Sequence, residues 1–182
     1  MNTIPVGALG FSATKGLMSK IIIWGDGAWM SHCFTCVGNL LGVPYLSEAT
    51  FPRIKISPLK DYMHKKKRFE LYDNPNIGVK LKETVLRKMH ENSLGKPYGT
   101  LQLFGFAPVI LFKKLFGIKI KNPIGMNKVC SEWNADFLNG IGWGDFDPNE
   151  TKPSDIYNKI KADPEWKLIA FSHFGQKELI YC

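Results

Sequence analysis

Cysteine is sparse, with four in 182 residues, which excludes the disulfide-dense framework of a small secreted domain. Long hydrophobic runs are missing as well. The longest, LFGFAPVILF at 103–112, is interrupted by Pro108 and is too short to span a bilayer. The first twenty residues, MNTIPVGALGFSATKGLMSK, lack a basic stretch followed by an unbroken apolar core, so no export signal is expected and synthesis in the cytosol with reduced thiols is. No internal repeat and no low-complexity linker divides the chain, and its length suits one domain, 1–182, able to bury a real core. Acidic residues are outnumbered, 16 Asp and Glu against 24 Lys and Arg. The resulting formal charge of +8 favours an anionic partner: nucleic acid, anionic lipid or an anionic wall polymer. The densest basic run, HKKKR at 64–68, reads as a solvated helix end. No recognisable nucleic-acid module accompanies it, so no specific nucleic-acid partner is expected.

What is present is an ordinary apolar content of 45% arranged in short elements. KIIIW (20–24) is a β-branched run that predicts a strand, with GDG after it as a turn. SHCFTCV predicts a strand, PYLSEATF a second one after the GNLLGVP connection, and RIKI (53–56) a third by its alternation. Ser57 is a candidate helix N-cap with Pro58 at the first helical position. RFELYD predicts another strand. Val79, Leu81, Val85, Leu86 and Met89 recur at helical spacing, with Gly95 as the stop. NKVCSEWNADFLNG predicts a helix capped by Asn127 and ending before Gly140, and the tail adds a helix near SDIYNKI and a strand near EWKLIAF. Strands and helices segregate instead of alternating, which points to an α+β fold.

GDGAWMSHCFTCVG carries one histidine and a Cys-x-x-Cys pair. On a strand, alternate side chains share a face, so His32, Phe34 and Cys36 point one way and Cys33, Thr35 and Val37 the other. Cysteines on opposite faces suit neither a thioredoxin-type site, which needs a helix N-terminus, nor a zinc knuckle, which needs a second ligand pair. His64, His90 and His173 add no paired spacing. Cys33 and Cys36 are therefore read as ordinary strand residues, and no metal site is expected. Cys130 is different, because it falls near the predicted start of a helix. Unpaired N–H groups and the macrodipole there favour a thiolate and could hold an oxyanion. A cysteine so placed, with His32 on a facing strand and Glu48 on the next strand to orient the imidazole, makes a candidate cysteine-nucleophile site. The bland alternative is a buried structural cysteine among unrelated polar residues.

The ordered set GD…SHCFTCVG…YLSEAT…ISPLKDY…GKPYG…VCSEW…KPSDI, spanning about 24–169, resembles the circularly permuted branch of the NlpC-like, papain-fold cysteine peptidases and amidases. The resemblance implies a small antiparallel sheet packed against helices with the nucleophile at a helix N-terminus. It makes Cys130 the nucleophile, His32 the base and Glu48 the orienting group. Tyr98 of the Gly-x-Pro-Tyr turn and Ser131, beside the cysteine, become candidate substrate or oxyanion contacts. No metal or organic cofactor is implied. Two departures bear on substrate: the connection from the Tyr98 turn to the cysteine helix is long and apolar, and Trp133 stands where a smaller aliphatic residue is usual, which would narrow the cleft. The connection, around 101–120, is expected to form a helical insertion covering the cleft, since its aromatic content is too high for a solvated loop.

The implied activity is hydrolysis of amide bonds in peptides or peptidoglycan fragments through a thioester, in an enzyme delivered to a bacterial wall by a phage or secretion device. The alternatives are a lipid-directed thiol acyltransferase or esterase, with 101–120 as an interfacial lid, and a non-catalytic module on the same fold.

Overall fold

A computed structural model describes residues 3–14, 16–60, 66–97, 129–172 and 180–182. Seven strands and four helices are delimited among them, in the order β1 (Leu9–Thr14), α1 (Leu17–Asp26), β2 (His32–Leu40), β3 (Val43–Thr50), β4 (Arg53–Pro58), β5 (Lys66–Asp73), α2 (Val79–Ser93), α3 (Cys130–Gly140), α4 (Pro153–Ala162), β6 (Lys167–Ser172) and β7 (Ile180–Tyr181). The strands form one sheet in the order β4-β3-β2-β1-β5-β6-β7, antiparallel at every pairing. The α+β class expected from the sequence is the observed one. The expected insertion at 101–120 lies outside the described residues.

Both faces of the sheet are buried. Leu9 and Phe11 of β1, Cys33 of β2 and Tyr72 of β5 pack with Leu86 of α2, Cys130, Phe137 and Leu138 of α3, and Ile156 and Ile160 of α4. The alternate residues, among them Phe34, Cys36, Leu46, Phe69, Leu71 and Ala170, form a second cluster. A strand with two covered faces reads as a nearly continuous buried run, and β2 does so from His32 to Cys36. Cys33 and Cys36 fall into different clusters, as the alternation predicts.

The β2–β3 hairpin sets the register that the site depends on. Leu41 and Gly42 both have positive φ, 50° and 78°, the backbone of a two-residue hairpin turn. Pairing of Leu40 with Val43 then carries through a bulge at Cys36/Gly38 to Thr35 opposite Ser47. Gly10, in central β1, faces Phe34 in register. A Cβ built there would lie 2.1 Å from the Phe34 ring, so the ring occupies space that only glycine leaves. Gly10→Ala should therefore lower the urea midpoint without changing the slope, a loss of about 1–3 kcal/mol.

Three local expectations are corrected. KIIIW is not a strand but the middle of α1, which ends at Gly27 in the left-handed region (φ 70°); apolar runs of this length do not by themselves separate strand from buried helix. Ser57 and Pro58 still belong to β4, which pairs them with Leu46 and Tyr45, and the helix expected there starts just after them, at Leu59 and Lys60. Gly140 closes α3 from within, and the left-handed glycine comes later, at Gly142 (φ 75°). Asn127, the expected cap of α3, lies outside the described residues.

Candidate active site

Helix α3 begins at Cys130, preceded by Val129 in extended conformation (φ −92°, ψ 171°). Valine has no side-chain acceptor to cap a helix, and Glu132 supplies the other half of a capping box: its carboxylate accepts the Val129 N–H at 3.0 Å. The first intrahelical bond runs from Trp133 N–H to Val129 O at 3.0 Å. The N–H groups of Cys130, Ser131 and Glu132 precede that bond, so the thiol sits at the positive end of the helix. Cys130 and Ser131 are both 5% exposed.

His32 opens β2 and Glu48 lies near the end of β3. The imidazole Nε2 and the Glu48 Oε2 are 3.1 Å apart, both side chains nearly buried. Ser57 Oγ donates to the other Glu48 oxygen at 3.4 Å, and Lys55 Nζ lies 3.4 Å from it. Ser57, expected as a helix cap, instead turns its hydroxyl to the carboxylate. The strand-to-strand register thus brings together the histidine and the acid singled out in the sequence.

Cys33 and His32 both act on the Cys130 thiol. Its pKa is held well below the ordinary value near 9.0, chiefly by the Cys33 hydrogen bond; burial opposes this, while the His32 charge and hydrogen bond add to it. Cys33 moves the opposite way: burial and the adjoining Cys130 sulfur push it well above that value. Asn134, one helical turn beyond Cys130, fixes the pair. Its amide donates to Cys130 O at 2.7 Å and lies 3.4 Å from Cys33 Sγ, and its carbonyl accepts from Thr35 Oγ1 at 2.7 Å.

Cys33 and Asn134 are the residues that sequence reasoning missed. Their signals were present: Asn134 stands four residues after Cys130, and Cys33 faces away from Phe34 toward the helices. Cys33 is a buried strand residue, as read from the sequence; what the sequence did not show is its influence on the Cys130 thiol. Tyr98 lies outside the described residues, as does the 101–120 connection. Trp133 does not narrow a cleft. It is fully buried with Ala49 and Ile54 and stacks on His90, ring centroids 5.6 Å apart at 25°. Among the described residues no group of three or more His, Cys, Asp or Glu is arranged to hold a metal ion, and no helix is long and apolar enough to cross a membrane.

Together these elements define an α+β protein in which a helix-terminal cysteine faces a histidine and a carboxylate on two adjacent interior strands of an antiparallel sheet. No family model matches the chain, and no curated protein matches it. Among solved structures it is similar to the crystal structure of metalloprotein YiiX from Escherichia coli O157:H7, DUF1105, with a TM-score of 0.56 and 17% identity over 93% of this chain and 98% of that one. That similarity describes the fold alone.

Proposed function

We propose that the protein is a cysteine-nucleophile hydrolase of the permuted NlpC-like, papain-fold type, cleaving peptide or isopeptide amides through a thioester. The observation that carries this reading is the placement of Cys130 as the first residue of α3 beside His32, whose Nε2 Glu48 holds at 3.1 Å and whose charge lowers the thiol's pKa. With Nε2 committed to the carboxylate, Nδ1 is the nitrogen that serves the thiol. The resting state is then a thiolate beside an imidazolium whose Nε2–H donates to Glu48.

The thiolate sulfur attacks the amide carbonyl carbon, and the carbonyl π electrons move to oxygen. The helix-start N–H groups of Cys130 and Ser131 receive that oxyanion. As it collapses, the C–N bond breaks and the imidazolium gives its proton to the departing amine, leaving a thioester on Cys130. His32, now neutral, takes a proton from water, and the hydroxide attacks the thioester carbon. The carboxylic acid leaves and the thiolate is restored. The formal charge of +8 suits substrates carried on an anionic surface, such as a bacterial wall.

Release of amine from wall-peptide fragments, run beside release of alcohol from acyl esters, with and without a thiol-alkylating reagent, tests the reading. Alkylation-sensitive release of amine supports it. Preference for acyl esters shifts the activity to the lipid-directed alternative, and no release from either class leaves a binding module. Glu48→Gln should reduce turnover by about tenfold while preserving the fold, because a neutral amide still accepts the imidazole N–H but no longer stabilises its charge. Equal loss in Glu48→Gln and Cys130→Ala would give the carboxylate a direct chemical part.

A further inference from the structure

The mechanism above uses one thiol, yet two meet at the site. Cys33 is 1% exposed and Cys130 5%. They belong to one buried cluster. Asn134 ties both to one frame, with its amide 2.7 Å from Cys130 O and 3.4 Å from Cys33 Sγ. The other two cysteines are placed differently: Cys36 is buried in the opposite cluster and Cys182 is exposed. This is the disposition of an attacking and a resolving sulfur. Both are buried, and each acts on the other's pKa, lowering that of Cys130 and raising that of Cys33.

We propose that Cys33 and Cys130 form a reversible disulfide that protects the site from oxidation and switches it off, with hydrogen peroxide as the oxidant. The Cys130 thiolate attacks a peroxide oxygen; the S–O bond forms, the O–O bond breaks, and the departing hydroxide takes a proton to become water. The Cys33 sulfur, giving up its proton, then attacks the sulfenic sulfur. The S–S bond forms and the S–O bond breaks, releasing a second water. Two thiols are oxidised by two electrons and one peroxide is reduced to two waters. A small dithiol reductant reverses the step. Asn134 bonds Cys130 O and Thr35 Oγ1 and lies 3.4 Å from Cys33 Sγ, which ties α3 to β2 at the two cysteines. Without Cys33, the sulfenic acid has no resolving partner and proceeds to the sulfinic acid, which dithiols do not reverse.

The loss of turnover on oxidation rests on the nucleophile reading above, but the disulfide itself does not, so the two are read separately. The full chain is exposed to a small excess of hydrogen peroxide, quenched with N-ethylmaleimide, digested without reduction and mapped by mass spectrometry. The expected product is a Cys33–Cys130 cross-linked peptide that dithiothreitol dissolves. In Cys33→Ser and Cys33→Ala, irreversible sulfinic acid should make up about a tenfold larger share of the oxidised Cys130 than in the unaltered chain. Both variants are used so that loss of the thiol is separated from any effect of the serine hydroxyl, and circular dichroism confirms that each is folded. Overoxidation of Cys130 in the same share with and without Cys33, or cross-links through Cys36 or Cys182 instead, would overturn the proposal. A Cys33–Cys130 disulfide in a chain that releases nothing from any amide or ester would uphold the thiol pair and remove the hydrolase.

Discussion

Cys130→Ala is expected to abolish hydrolysis, a drop of about 10³-fold or more, while leaving the thermal midpoint within a few degrees of the unaltered chain. The side chain is small and the alanine Cβ keeps its place, so the fold loses one sulfur from a cluster that Phe137, Leu138, Ile156 and Ile160 dominate. Its loss should also be unlike that of its neighbours. Cys36 sits across the sheet, where burial drives its thiol up to about 12, and its replacement should not touch turnover. An initial-rate assay on the best amide substrate, paired with circular dichroism, separates a chemical loss from an unfolded protein. Residual activity in Cys130→Ala close to that of the unaltered chain would assign the nucleophile elsewhere.

His32→Ala is the second large effect, and its signature lies in pH. The Cys130 thiol is held below its ordinary range by the Cys33 hydrogen bond and by the charge and hydrogen bond of His32. A thiol so held is more ionised at a given pH than a free one, so alkylation of Cys130 by iodoacetamide should persist to lower pH than alkylation of the exposed Cys182. Removing His32 withdraws one of the favourable contributions, so the pKa climbs. The alkylation rate at pH 7 should fall by about tenfold for each unit of that climb and recover as pH is raised toward 9. Turnover should fall further, by about 10²–10⁴-fold, because the base that protonates the leaving amine is gone as well. A pH profile unchanged by the substitution would mean that His32 does not act on the thiol.

Much of this site was legible in the chain. Cys130 at a helix start follows from the apolar spacing of Val129, Trp133, Phe137 and Leu138, which the observed α3 reproduces. His32 and Glu48 follow from two β runs separated by a glycine-bearing turn. What was not legible depends on tertiary contacts. β1, the central strand, offers Gly10 and Ser12 where a strand pattern wants bulk, and only the pairing with β2 and β5 on either side makes it one. Helix α1 was hidden because Ile21, Ile22 and Ile23 carry the β-branched composition of a strand. Cys33 was passed over because alternation along a strand tells which way a side chain points and not what it meets there. Its partner, 97 residues away in sequence, comes into reach only when α3 packs on β2.

The central claim is that Cys130 takes an acyl group from its substrate, and the most direct measurement is of that acyl group. The chain is incubated with wall-peptide fragments and with acyl esters, quenched in acid, and weighed intact before digestion. The account predicts an added mass equal to the acyl part of the donor, mapped to Cys130, released by hydroxylamine as a thioester is, and absent from Cys130→Ala. An adduct on Cys33, Cys36 or Cys182, or one that persists in Cys130→Ala, would contradict it.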